Sequence, residues 1–146
     1  MPTTGQTEAT ERNREIVRRL YDGVISGDLS ALAALRSPDY RVTQAPGHPV
    51  PGTWTGDDAG VAGGRVFAAL GIEGLTVQEI VADGPHLVIG LVELHGTDAG
   101  GAPWTMPVAE YFHLEDGLIT DIRPYYWDLV EVRRIAGHRA EAAHES

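Results

Sequence analysis

Between Val108 and Asp128 the chain reads VAEYFHLEDGLITDIRPYYWD, two apolar, β-rich runs on either side of a Glu-Asp-Gly turn. This is the pattern of an antiparallel hairpin. A hairpin alone is marginal in water, so this element commits the chain to a sheet with one face covered. Period-two alternation turns Glu110 toward the face that carries Val108 and Phe112. A carboxyl buried there is costly to ionise, so its pKa rises and it exchanges protons near neutral pH. Asp128 closes the second run, directly before a helical segment. The two carboxylates point to a proton-handling pocket without naming what it works on.

The rest of the chain supplies the cover. From Glu8, the residues Ile16, Val17, Leu20, Val24 and Ile25 recur at helical spacing and Gly27 closes the helix. Asp28 or Ser30 caps a second, short helix through Leu35, and Tyr40 to Thr43 reads as a short strand. Pro46 to Gly56 is a proline-rich loop holding His48 and Trp54, long enough to rim a site. A third helix follows Asp57 or Asp58, weakened by Gly60, Gly63 and Gly64. Four long strands then form a meander: Leu75–Ala82, His86–His95, Trp104–Leu114 and Leu118–Trp127. A last helix starts at Leu129 and stops at Gly137. Helices first and a meander after them describe an α+β domain over residues 8–137, with frayed ends at 1–7 and 138–146.

Composition removes several classes of function. The 146 residues suffice for one domain that buries about two-thirds of its unfolded surface. A net charge of −10 repels phosphate, which argues against nucleic-acid and anionic-membrane partners. Cysteine is absent and every one of the 11 basic residues is arginine, so thiolate and lysine Schiff-base chemistry are excluded. No apolar run reaches the 18 or so residues of a membrane helix, and no secretory signal is apparent, so a cytoplasmic protein is expected. No P-loop, dinucleotide fingerprint, serine elbow or short-spaced histidine pair occurs, and neither a metal nor a cofactor is expected.

The helix around REIVRRLYDGVISGDLSALAAL, then SPDYRV, and above all YFHLEDGLITDIRPYYWD resemble the nuclear-transport-factor-2-like superfamily. Within it, the SnoaL-like polyketide cyclases and ketosteroid-isomerase-like proteins are most similar. The resemblance implies a cone, with N-terminal helices packed on a strongly curved, mostly antiparallel sheet and one short C-terminal helix. It implies acid–base chemistry on a small apolar substrate. Glu110 resembles the protonated acid that donates to an enolate oxygen in the isomerases. Asp128 resembles the acid or base of the cyclases and the limonene-epoxide-hydrolase-like enzymes. Tyr21 is similar in kind to the isomerases' oxyanion-hole tyrosine, and Asp39 is a loose match to their base.

Each candidate also has a plainer reading. Asp128 is well placed to cap the last helix, a role worth about 1 kcal/mol. Glu110 could pair with Arg123 on the neighbouring strand. His95 shares a strand face with Glu93 and could relay a proton to or from Asp128. His48 could reach over the cavity, with Tyr40, Trp54, Trp104, Met106, Phe112 and Tyr125 lining it or simply packing as core. Ile119 and Asp128 are nine residues apart, which in a regular strand places them on opposite faces. A bulge near Arg123-Pro124-Tyr125 is therefore expected, returning Asp128 to the pocket. A homodimer is expected to cover the exposed sheet face carrying Val88, Gly90, Val92 and Leu94.

Overall fold

The computed structural model describes residues 4–145. Helix α1 (Thr4–Ser26) is followed by a 3-10 turn (Leu32–Leu35), β1 (Arg36–Gln44), β2 (Gly52–Thr55) and α2 (Asp57–Leu70). The meander β3 (Ile72–Asp83), β4 (Leu87–Thr97), β5 (Pro103–Glu115) and β6 (Leu118–Tyr126) leads into α3 (Leu129–Glu145). The six strands form one curved, unclosed sheet in the order β2-β1-β6-β5-β4-β3. Only the β1–β6 pair is parallel; the others are antiparallel. The fold is α+β, as the sequence reading has it.

Burial along β4 alternates without a break, so one face of the sheet is core and the other is not. Val88, Val92 and Leu94 point inward and pack with Met106, Val108, Phe112 and Leu114 of β5. Helix α1 lies across this concave face with Ile16, Val17, Leu20 and Tyr21 buried beneath it. Its start is tied to the β3–β4 turn, where Asn13 Nδ2 donates to the Pro85 carbonyl at 2.8 Å and Thr10 Oγ1 to that of Gly84 at 3.0 Å. Helix α3 buries Val132 and Ile135, and Arg139 donates to the Thr97 carbonyl at 3.0 Å.

Several boundaries differ from those read off the sequence. Helix α1 already includes Thr4–Thr7, where fraying is expected; Met1–Thr3 lie outside the described residues. Instead of a second α-helix there is the single 3-10 turn, and β1 starts at Arg36, running straight through Ser37-Pro38-Asp39. Pro38 is tolerated because the parallel ladder to β6 is interrupted between Arg36 and Arg41. The proline loop contains the short strand β2. Gly137 does not end α3, which continues to Glu145; one exposed glycine costs about 1 kcal/mol and does not by itself break a helix.

Two corrections concern which way side chains point. The β6 bulge exists, but at Thr120, between the pairs His113–Asp121 and Leu114–Ile119, and not at Arg123–Tyr125. Ile122, Pro124 and Tyr126 therefore face inward and Arg123 and Tyr125 outward. Likewise Val88, Gly90, Val92 and Leu94 form the core face and need no partner. The open face carries Leu87, Ile89, Leu91, Glu93 and His95.

Candidate active site

Glu110 sits in mid-strand on the concave face, opposite Gly90 of β4 and Pro124 of β6. Tyr21 comes down from α1 and its hydroxyl donates to Glu110 Oε1 at 2.8 Å. Gly90 makes this contact possible: a Cβ there would stand 2.0 Å from the Tyr21 hydroxyl oxygen. The Tyr21 ring is fixed edge-on against Phe112, with centroids 5.9 Å apart and planes at 81°. Glu110 keeps some accessible surface, whereas Phe112 and Leu114 on the same face keep none. Even so, the loss of hydration around its carboxyl dominates and raises its pKa, and the Tyr21 hydrogen bond offsets this only in part. The Tyr21 phenol is pushed far upward, first by burial and then by the charge of Glu110.

Further polar groups gather beside this pair. Burial, and next the Glu110 charge, hold the Tyr126 phenol above its ordinary range, while a hydrogen bond from Gln44 opposes the shift. The His48 ring lies 5.0 Å from the Tyr126 ring. His48 is only 3% exposed. Its Nδ1 accepts the Val50 N–H at 2.9 Å, and burial depresses its pKa. A neutral ring that accepts at Nδ1 carries its proton on Nε2, and among the described residues Nε2 has no partner. The side-chain oxygen of Gln44, on a residue 7% exposed, also lacks one. Buried orphans of this kind are uncommon and call for an explanation. Where β1 and β6 part, a cleft of about 410 Å³ has Gln44, Pro124, Tyr126 and Leu129 in its wall, together with Arg123 and Tyr125. That is within the range of small-molecule sites.

The structure thus brings together Glu110, Tyr21, Phe112 and His48 of the residues read from the sequence. Met106 and Trp104 are buried core on the same face. Tyr40 is buried with its hydroxyl accepting from Arg36 at 2.7 Å, and Trp54 is half-buried on the outlying strand β2. Arg123 and Tyr125 border the cleft from the outward side of β6, and the others lie elsewhere. His95 faces outward, on the side of the sheet opposite Glu110, and shares a 2.6 Å hydrogen bond with Thr76. Arg123 lies over the Tyr111 ring and donates to the Tyr125 hydroxyl at 3.1 Å; it does not pair with Glu110. Tyr125 is 56% exposed. Asp128 is exposed and accepts the Glu131 N–H at 3.1 Å, which makes it the N-cap of α3. Asp39 is exposed as well.

Tyr126, Gln44 and Gly90 were not singled out from the sequence. A signal existed for two of them. A lone glycine inside the strand LVIGLVELHG marks a close backbone approach, and a bulge placed at Thr120 would have put Tyr126 in phase with Glu110.

The model of the SnoaL-like domain matches residues 17–122. The chain belongs to that family. The match runs from mid-α1 to β6 and so includes Tyr21, Gln44, His48, Gly90 and Glu110. No curated protein matches. Among solved structures, Bal32a from a soil-derived mobile gene cassette is similar with a TM-score of 0.78 at 22% identity, over 87% of this chain and 98% of its own. An NTF2-like protein of unknown function from Burkholderia pseudomallei K96243 gives 0.73 at 23% identity, over 86% and 97%. TerC, co-crystallised with polyporic acid, gives 0.73 at 21% identity, over 86% and 98%. At these identities the likeness is one of fold, which is NTF2-like. No helix among the described residues is long and apolar enough to cross a membrane.

Proposed function

We propose that this SnoaL-like domain is a cofactor-free acid–base enzyme of the cytoplasm, acting on a small, largely apolar metabolite of the polyketide or terpenoid kind. Glu110 is its proton carrier. The observation that carries this reading is the buried Glu110–Tyr21 pair on the concave face, with the unpartnered His48 Nε2–H and Gln44 oxygen close by. A carboxyl whose pKa is raised by burial is suited to exchange protons at neutral pH.

In an isomerisation or cyclisation, the Glu110 carboxylate takes a proton from the carbon beside a substrate carbonyl. The negative charge then moves onto the carbonyl oxygen, where a neutral N–H such as that of His48, or the Tyr126 hydroxyl, stabilises it. Glu110 returns the proton to another carbon or to the closing ring. The aromatic and aliphatic wall of Phe112, Met106 and Val108 excludes water. That TerC was crystallised with polyporic acid agrees with a fold that admits small aromatic metabolites.

The direct test is deuterium exchange. Enolisable apolar ketones incubated in D2O with the protein should exchange their α-hydrogens, as read by proton NMR. Glu110→Gln should abolish that exchange while leaving ligand binding intact. Equal exchange by wild type and Glu110→Gln would remove Glu110 from the chemistry. A second reading, a ligand-binding module without catalysis, draws on the fact that Tyr21 already satisfies Glu110; it predicts binding without exchange in both proteins. Homodimerisation belongs to the proposal too, now through the outward face on which Val81, Leu87 and Tyr125 are exposed. Tyr125→Arg should shift a dimer toward monomer in sedimentation, and a wild-type monomer would end that part of the reading.

A further inference from the structure

On the face of β5 opposite Glu110, the fold brings His86 beside His113 and Glu115. His86 follows the β3–β4 turn, while His113 and Glu115 project from the outward face at the end of β5. One ligand atom of each lies within 4.8 Å of the other two. His113 Nε2 is 2.8 Å from Glu115 Oε1, and His86 Nδ1 is 3.6 Å from Glu115 Oε2. The two imidazoles are stacked, with centroids 5.2 Å apart and planes at 5°.

We propose that His86, His113 and Glu115 form a surface site for a divalent transition-metal ion, zinc or nickel in class. It is separate from the Glu110 pocket and independent of its function. Two imidazoles and one carboxylate are the donor set such ions favour, whereas magnesium and calcium prefer oxygen ligands alone. An ion about 2.0–2.2 Å from each donor holds the donors about 3–4 Å apart, close to the separations already present. The adjustment required is small. His86 is exposed, so its ring is free to swing out of the stack until one ion lies in both ring planes.

The surrounding backbone favours the same conclusion. The Leu114 N–H donates to the His86 carbonyl at 2.9 Å, which clamps the β3–β4 turn to the end of β5. The His86 Nδ1 is 2.9 Å from the Leu114 carbonyl. An ion taken at Nδ1 would replace this hydrogen bond as the ring swings toward Glu115. An ion here would staple the turn to the strand end beside the point where Asn13 and Thr10 anchor α1.

The experiment uses the full chain, without a histidine tag, stripped with chelator and titrated with zinc chloride against a chromogenic competitor. Wild type should bind one ion per chain and melt at a higher temperature with zinc than without. His113→Ala and Glu115→Gln should each lose at least about tenfold in affinity, the least that even outer-shell partners of a metal cost. His138→Ala should bind like wild type. Circular dichroism confirms that each variant is folded; all three positions are at the surface, so core packing is untouched. Absence of zinc binding by wild type would overturn the proposal. So would unchanged stoichiometry and affinity in the His86→Ala/His113→Ala double variant.

Discussion

Two carboxylates, one within β5 and one just beyond the end of β6, meet opposite fates. Glu110, in mid-β5, is turned under α1 and hydrogen-bonded to Tyr21; Asp128, at the β6–α3 junction, is in solvent capping a helix. Their sequence settings look alike, each in phase with apolar neighbours. What separates them is where the strand stops. The bulge at Thr120 brings Ile122, Pro124 and Tyr126 inward, and position 128 would follow in the same phase. But β6 ends at Tyr126, and the chain turns into α3 before Asp128 can point anywhere but at the helix N-terminus. The same residue class is therefore buried under a helix in one place and caps a helix in the other.

The contrast predicts a hierarchy of effects. Glu110→Gln should lower turnover by at least about a hundredfold, the usual contribution of a general acid–base group, with little change in ligand affinity; steady-state rates on any substrate found by exchange screening check this. Gly90→Ala should act next. Its added methyl group occupies the place of the Tyr21 hydroxyl, forcing Tyr21 off Glu110 at a cost of about 1–3 kcal/mol, measurable by urea denaturation. Asp128→Ala should cost only about 1 kcal/mol through the lost cap and leave turnover unchanged. Asp128→Asn should do even less, since asparagine caps as well. His95→Ala, which loses one exposed hydrogen bond, should change stability by no more than about 0.5 kcal/mol and should not alter the pH profile.

Most of the architecture was legible in the sequence because it rests on period. The β3–β6 alternation, the Asp116-Gly117 turn with both residues at positive φ, and the apolar stripe of α1 are local signals that packing confirmed. Glu110 was legible for the same reason, two residues from Phe112. The outward placement of Arg123, Tyr125 and His95 was less so. A bulge moved by a few residues reverses the face of the residues between its two positions, and one strand's phase alone does not say which face the helices cover. Tyr126, Gln44 and His48 converge through the parallel β1–β6 pairing and the proline loop, long-range contacts without a periodic trace. The His86, His113 and Glu115 cluster was invisible for a similar reason, since the β4–β5 pairing is what brings His86 beside His113.

The pH dependence of stability reports on Glu110 directly. The folded pKa of Glu110 is raised, so its protonated form favours the folded state. That advantage is fully present below the unfolded glutamate value of about 4.3 and disappears as the pH rises through the higher folded value. Wild type should therefore lose stability relative to Glu110→Gln over that interval and run parallel to it above. Thermal melts of both proteins across the acidic to neutral range would show the divergence.

The most direct measurement is the titration of the Glu110 side-chain carboxyl itself, followed by NMR on protein labelled with carbon-13 in its glutamates and assigned by comparison with Glu110→Gln. The resonance should remain that of a protonated acid well above the midpoint of the exposed glutamates, and Gly90→Ala should change its midpoint. A Glu110 resonance that titrates together with the surface glutamates would contradict the account, because a hydrated, ordinary carboxylate cannot be the proton carrier of a buried site.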